Sequence, residues 1–195
     1  MKTIYGTNSD VIDNWIRWSK TGANFNGQNK NKSLFFEGNM LYSYGHHYPL
    51  AKYIILRETN RKICKRKDII LVNKEGSSKT TNNHKSGIAR FIYAPDDNFM
   101  DRVNKFKGFF IKDFENMELN VSDYKMRIEG KIEVLLRSRD RWWIEKRLEW
   151  IEKGIKERNK FVEIFKLDFP KMEFKELLND KQVVKLVTMK LRAKI

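Results

Sequence analysis

The spacing of apolar residues changes near residue 122, and this change constrains the fold more than any other feature of the chain. Before residue 122 the apolar residues fall in short alternating or β-rich runs, which are typical of strands and hairpins. From Ser122 onwards they recur at steps of about three and four with charged residues between them, which predicts amphipathic helices. The positions that set the second pattern are Met126, Ile128, Ile132, Leu135, Leu136, Trp142, Trp143, Ile144, Leu148, Ile151 and Ile155.

Together the two patterns predict an α+β fold. We expect a small antiparallel β-sheet with a short helix in the N-terminal half, and long amphipathic helices in the C-terminal half. Residues 1–121 form an α+β module with a hairpin-rich core in this interpretation. Residues 122–195 form a helical region that packs on the module and is not an independent domain.

Local signals place elements within these halves. Residues 10–20 read as a helix capped by Ser9 or Asp10, and the Glu37-Gly38-Asn39 stretch as the turn of a hairpin. The other predicted elements are strands at 48–56 and 68–73, a turn at 57–67, a helix at 86–93, a short helix followed by extended chain at 98–121, a helix restart near Ser138–Asp140 and a short helix at 171–178. The tail VVKLVTMKLRAKI fits either a strand or a basic amphipathic helix.

The charge is strongly unbalanced: 40 lysines and arginines stand against 25 acidic residues, which gives a net charge of +15. Such an excess favours binding to polyanions through counterion release, and nucleic acid (DNA or RNA) or a nucleoprotein complex is the expected partner. A compositional bias without a binding role is the alternative. The N-terminus has no uninterrupted apolar h-region, no stretch approaches a membrane span, and Cys64 is the single cysteine. These features predict no signal peptide, no membrane partner and a cytoplasmic location.

The densest positive patch is the predicted turn at 57–67. Cations at a hairpin tip can reach a nucleic-acid groove or backbone, and arginine can bind a phosphate in a bidentate manner. A solvated turn with no partner is the competing interpretation. The residues predicted to contact nucleic acid here are Arg57, Arg61, Lys62, Lys65, Arg66 and Lys67.

A polar tract at 77–87 precedes the predicted helix and supplies the second candidate site. A helix start offers free backbone amides to a phosphate, and flanking lysines add charge. A simple helix cap, formed by Thr81 or Asn82, explains the same residues. The residues predicted to position phosphates are Lys79, Thr81, Asn82, His84 and Lys85.

A basic stripe beside two tryptophans is the third candidate. Arg137, Arg139 and Arg141 lie next to Trp142 and Trp143, which fits contact with a nucleic-acid backbone. Glutamates at 145, 149 and 152 form compensating pairs along the same stretch, so a helix docked on the core is the alternative.

Catalytic and metal-binding motifs are absent from the sequence. It has no P-loop, no nucleophile elbow around His84 and no metal-ligand spacing that includes Cys64. We therefore predict no catalytic residue, no metal and no cofactor. Acid–x–lysine pairs at 129–131 and 173–175 keep a metal-dependent nuclease open as a remote alternative.

Two segments carry a resemblance to a small uncharacterised domain of phage and phage-like proteins. Tyr42-Ser43-Tyr44-Gly45 and Pro49-Leu50-Ala51 match its first motif. Asn73, Ser78, Thr80, Thr81 and His84 match its second, so that the resemblance spans about residues 34–92. The resemblance implies a viral or mobile-element context and assigns no activity. The residues and the resemblance together predict a non-enzymatic phage-type protein that binds nucleic acid or a nucleoprotein complex. An anti-defence inhibitor, for example one of the anti-CRISPR kind, is the alternative, and it would act through protein–protein binding.

Overall fold

Residues 2–60, 63–75, 78–93 and 107–192 are described by a computed structural model, and they form the predicted α+β fold. The chain divides into two units, residues 1–114 and 115–195. The first unit contains every described strand, and the second is helical. This division separates the two hydrophobic patterns seen in the sequence.

One sheet of seven strands forms the first unit, in the order of the chain. The neighbours from β2 to β6 are antiparallel, whereas β1 pairs with β2 and β6 pairs with β7 in parallel. Parallel neighbours require a crossover connection, and a helix supplies it at each end of the sheet. The strands are β1 (Thr3–Tyr5), β2 (Asn26–Asn29), β3 (Leu34–Glu37), β4 (Met40–Ser43), β5 (Pro49–Asn60), β6 (Ile63–Asn73) and β7 (Lys107–Ile111).

The two crossover helices, α1 (Asn8–Thr21) and α2 (Lys79–Tyr93), pack against one face of the sheet. Trp15 of α1 is fully buried there, and its ring meets the Tyr53 ring edge-on at 6.2 Å between centroids. Gly108 lets α2 approach β7, because a Cβ at this position would come within 2.3 Å of the Ile92 side chain. The buried residues of this core are Val11, Ile12, Trp15, Ile16, Leu34, Phe36, Leu41, Leu50, Ala51, Tyr53, Ile70, Val72 and Ile88.

The first helix begins two residues before the predicted start, because its cap is Thr7 rather than Ser9 or Asp10. The Thr7 hydroxyl accepts a hydrogen bond from the Asp10 amide at 3.1 Å, and the Asp10 carboxylate accepts one from the Thr7 amide at 2.9 Å. This capping box satisfies two amides that the helix start leaves free. Gly22 ends the helix with a φ of 72°, a conformation that glycine adopts without a steric penalty.

The described elements confirm the predicted hairpin and correct the bounds of its neighbours. Strands β5 and β6 continue to residues 60 and 63, so that most of the predicted turn at 57–67 is strand. Helix α2 begins at Lys79 rather than at residue 86. In the 98–121 stretch, residues 107–111 are extended as expected, whereas the predicted short helix before them lies outside the described residues.

The helical unit contains α3 (Met117–Leu136), α4 (Arg141–Phe165), a 3₁₀ turn (Phe174–Leu177) and α5 (Asp180–Arg192). The predicted break between the first two helices is confirmed, because the Asp140 carboxylate caps α4 by accepting from the Trp143 amide at 3.2 Å. The tail is a helix rather than a strand over its described part. The core that the helices share contains Ile128, Ile132, Leu135, Leu136, Ile144, Ile151, Ile155 and Leu186.

Asn159 of α4 fastens the chain that follows the helix. Its side-chain amide donates to the Met172 carbonyl at 2.9 Å, and its side-chain oxygen accepts from the Met172 amide at 2.9 Å. The neighbouring Arg158 guanidinium donates to the Pro170 carbonyl at 2.5 Å. These side chains replace the backbone partners that residues 170–172 lack outside a helix or strand.

Replacing Asn159 with alanine should lower the free energy of unfolding by about 1–3 kcal/mol, because both backbone groups of Met172 lose their partner. Urea denaturation measures the change. Lys160→Ala, an exposed substitution on the same helix, is the control and should shift stability by about 0.5 kcal/mol at most. Equal effects for the two variants would contradict the role given to Asn159.

Candidate nucleic-acid interface

Strands β5 and β6 extend beyond the rest of the sheet as a two-stranded ribbon, residues 55–60 and 63–68. Strand β4 pairs with β5 only as far as Lys52, and β7 pairs with β6 only from Ile69 onwards. Within the described residues the ribbon strands therefore pair only with each other. A two-stranded ribbon has the width that a nucleic-acid major groove admits.

The register of the ribbon puts two arginines opposite each other. Arg57 on β5 pairs directly with Arg66 on β6, so both side chains point to one face of the ribbon. Leu56 pairs with Lys67, whose side chain points to the other face. Directly opposed like charges destabilise a strand pair, and an anion between them relieves the repulsion.

Arg66 also holds the base of the ribbon in place. Its Nε lies 2.7 Å from the Asp68 carboxylate, and its Nη2 donates to the Lys20 carbonyl at 2.7 Å. The carbonyls at the end of α1 need donors, and a cation also complements the partial negative charge there. The Asp68 hydrogen bond, the largest contribution, raises the pKa of Arg66. Arg66 is therefore committed to structure, whereas Arg57 is exposed.

The remaining cations of the predicted patch fall in different places. Lys67 is half-buried, and Lys65 belongs to β6. The predictions for Arg61 and Lys62 lie outside the described residues. The structure thus places two of the six cations, Arg57 and Arg66, on a common face of the ribbon.

A groove of about 610 Å³ lies where the ribbon meets the end of α1. Its lining includes Tyr53 and Ile55 of β5 and the left-handed residues Gly22 and Gly38. The Ser19 hydroxyl also lines it and is buried, with no hydrogen-bond partner among the described residues. Because the groove has small polar walls, it offers hydrogen bonds but little apolar surface for a ligand.

The second candidate site, at the start of α2, contains a serine–histidine pair. Ser43 Oγ lies 3.0 Å from His84 Nδ1, and both residues are almost completely buried. Within the described chain no protein group contacts the other ring nitrogen, Nε2, by a hydrogen bond. The ring of Tyr44 lies 6.1 Å from the imidazole and is itself exposed. Tyr44 takes a φ of 59°, which is uncommon for a bulky residue.

Lys85 and Tyr48 meet at the end of β6. The Lys85 ammonium and the Tyr48 hydroxyl both donate to the Glu75 carbonyl. The ammonium also lies 5.9 Å from the centre of the Tyr48 ring. Burial, the largest influence, lowers the pKa of Lys85. These contacts hold the chain that leaves the sheet towards α2.

The structure divides the five residues predicted to position phosphates. Lys79 and Asn82 are exposed, whereas Thr81, His84 and Lys85 are buried on the opposite side of the helix. The predicted cap is corrected as well: the Ser78 hydroxyl, not Thr81 or Asn82, accepts from the Thr81 amide at 3.1 Å. The five residues therefore do not share one exposed surface.

The buried imidazole should make stability depend on pH. Burial lowers the pKa of His84 below 6.5, so the folded chain keeps the ring neutral. Above pH 6.5 neither state is protonated and the full stability is present. As the pH falls below 6.5 the unfolded chain takes up a proton first, and stability drops by at most about 1.4 kcal/mol per pH unit.

Denaturation of wild type and His84→Asn between pH 7.5 and pH 5 tests this expectation, because the variant lacks the titrating ring. The stability difference between the two proteins should shrink or reverse as the pH falls. His47→Asn, at an exposed position, is the matched control and should follow the wild type. A His84→Asn curve parallel to the wild-type curve would contradict the buried neutral state.

The third candidate lies where α3 gives way to α4. Arg137 and Arg139 are exposed there, Arg137 with its guanidinium 3.8 Å from the Glu133 carboxylate, and Arg141 begins α4. Trp142 and Trp143 are also exposed, so the predicted neighbours do share a surface. The compensating acids are present too, because Lys146 pairs with Glu149 at 3.0 Å.

Two general searches of the described residues complete the survey. They contain no group of three or more histidine, cysteine, aspartate or glutamate side chains placed to hold a metal ion. No helix in the same residues is long and apolar enough to cross a membrane.

Sequence reasoning missed two partners that the fold supplies. Ser43 stands 41 residues before His84 and meets it only because β4 lies in front of the start of α2. Lys20 accepts from Arg66 across 46 residues. The only sequence signal for the first pair is that Ser43 and His84 both belong to the motifs of the phage-domain resemblance.

Comparison of the chain with family models, with curated proteins and with solved structures gave no match.

Proposed function

We propose that this protein is a non-enzymatic, phage-type protein that binds nucleic acid or a nucleoprotein complex through a basic surface. The observation that carries the proposal is the Arg57–Arg66 pair on a two-stranded ribbon. It presents positive charge on an element narrow enough to follow a groove or a phosphate backbone. The net charge of +15 supplies the long-range attraction.

The phage-type context rests on the resemblance of residues 34–92, and a cytoplasmic site of action rests on the single cysteine. Within the ribbon, Arg57 is the residue we expect to contact phosphate, with Lys67 on the other face. Arg66 contributes charge while its side chain holds the base of the ribbon. Lys79 and Asn82 are the exposed residues of α2 available to the same ligand.

Fluorescence anisotropy with labelled single- and double-stranded DNA and RNA at low salt tests the proposal. We expect binding of at least one of the four ligands. Parallel incubations with Mg²⁺ or Mn²⁺ report any cleavage, and cleaved product would replace binding by nuclease activity. Absence of binding to every oligonucleotide at low salt would refute the proposal.

A pull-down from host lysate, with and without nuclease treatment, separates this proposal from an anti-defence inhibitor. Binding through nucleic acid predicts that captured material is lost after nuclease treatment. A single stoichiometric protein partner that survives the treatment favours the inhibitor.

A further inference from the structure

Three tryptophans lie exposed together on the N-terminal half of α4. Trp142, Trp143 and Trp150 are 55%, 43% and 45% exposed. The ring centroids of Trp142 and Trp143 are 4.6 Å apart, and those of Trp143 and Trp150 are 6.2 Å apart. Isolated exposed apolar residues are ordinary, but a contiguous aromatic surface of this kind marks a binding site far more often.

The positions of these rings follow from helix spacing. Trp143 and Trp150 are seven residues apart, so they lie two turns apart along one side of the helix. Arg147 occupies the turn between them, with its guanidinium 5.5 Å from the centre of the Trp143 ring. The next strip of the helix, containing Ile144 and Ile151, is buried in the unit's core. The tryptophan strip therefore cannot turn inwards without unpacking the helix.

Arg147 is itself fixed. Its Nη1 donates to the Val134 carbonyl at 3.1 Å near the end of α3, and also to the Ser138 hydroxyl. A guanidinium held in this way orders the Trp143 ring before any ligand arrives. Preorganised aromatic surfaces bind more tightly because less conformational entropy is lost on binding.

The charge around the rings favours an anionic partner. Residues 137–156 contain seven basic and four acidic side chains, and the exposed arginines 137 and 139 precede the tryptophans directly. The one acid at the helix start, Asp140, already accepts from the Trp143 amide. The glutamates at 145, 149 and 152 interrupt the basic surface, which is unlike the uniformly basic polar face of a membrane-surface helix.

We infer that Trp142, Trp143 and Trp150 form a stacking platform for the bases of single-stranded nucleic acid. This inference rests on the proposed function and adds the type of ligand. Unpaired bases expose π-faces that stack on tryptophan, whereas the bases of a duplex are already stacked on each other. The neighbouring arginines would contact the phosphates between the stacked bases.

The test compares a 15-nucleotide thymidine strand with an abasic strand of the same length and phosphate number. Wild type should bind the thymidine strand at least tenfold more tightly, with quenching of tryptophan fluorescence. The double variant Trp142→Ala/Trp150→Ala should lose about tenfold or more on the thymidine strand and show little change on the abasic strand. It leaves Trp143 and its contact with Arg147 in place.

Met126→Ala removes an exposed apolar side chain from α3 and is the control that should bind like wild type. Trp142→Phe/Trp150→Phe should recover part of the lost affinity, since phenylalanine also stacks. Circular dichroism of each variant establishes that the helices are retained.

Failure of this inference and failure of the proposed function give different results. Equal affinity for thymidine and abasic strands, unchanged in the double variant, would overturn the platform while leaving phosphate binding intact. Absence of binding to all strands would overturn both. A blue shift of tryptophan emission with phosphatidylglycerol vesicles, and none with oligonucleotides, would overturn the platform in favour of a lipid surface.

Discussion

Trp15→Ala is expected to lower the free energy of unfolding of the sheet-containing unit by about 3–5 kcal/mol. The indole is fully buried between α1 and the sheet and meets Tyr53 edge-on. Its removal exposes a cavity that Val11, Ile12 and Ile16, on the same helix, cannot fill without moving the helix. Urea denaturation followed by far-ultraviolet circular dichroism measures the loss, and amide hydrogen exchange in β5 and β6 assigns it to the sheet.

The matched control is Trp142→Ala, the same chemical change at an exposed position of the helical unit. It should change stability by about 0.5 kcal/mol at most. A comparable loss in both variants, or a loss below about 1 kcal/mol for Trp15→Ala, would contradict the core described for the first unit.

Neutralising the ribbon should have the largest effect on binding. The variant changes five of the six predicted cations to glutamine and keeps Arg66, because Arg66 holds the ribbon to the end of α1. We expect affinity for nucleic acid at about 0.1 M salt to fall more than tenfold. The plot of log affinity against log salt should become shallower by about one unit for each phosphate contact removed. The changed residues are Arg57, Arg61, Lys62, Lys65 and Lys67.

A charge-matched control separates a local interface from the general attraction of a basic protein. It changes five exposed lysines of the helical unit to glutamine and so lowers the net charge by the same amount. The ribbon account predicts a markedly smaller loss of affinity for this control. If both variants lose equally, the ribbon is not the interface. The control residues are Lys156, Lys160, Lys171, Lys181 and Lys185.

The fold class could be predicted because hydrophobic spacing is local. Ile144, Ile151 and Ile155 follow the helical period, and they are buried in the helical core. The turn at Gly38 was also readable, since its φ of 57° suits glycine. Element ends were less predictable. Thr7 and Ser78 cap helices through hydrogen bonds to residues three positions on, and several neighbouring polar residues could have served as well.

The ribbon was misjudged for a physical reason. Residues 57–67 contain many cations and little apolar pattern, which is typical of a turn. Strand pairing with an apolar partner segment at the base overrides that composition, and the register continues from Ile54–Ile69 outwards. Charged residues on an exposed ribbon also prevent edge-to-edge association, so their presence is compatible with strand.

Candidate sites are harder still, because they depend on contacts between distant residues. The Ser43–His84 pair joins β4 to α2, and no spacing rule relates the two positions. The burial of Thr81 and Lys85 depends on which side of α2 faces the sheet. Charge could be counted from the sequence, but the commitment of Arg66 to Asp68 and Lys20 could not.

The most direct test of the account is the salt dependence of nucleic-acid binding by the wild-type chain. We predict that log affinity falls linearly with log salt concentration, with a slope of about −0.9 per phosphate contacted on duplex DNA and about −0.7 on a single strand. Several contacts should therefore give a steep slope. Affinity that does not change with salt, or no binding at about 50 mM salt, would contradict a protein whose net charge of +15 serves to hold nucleic acid.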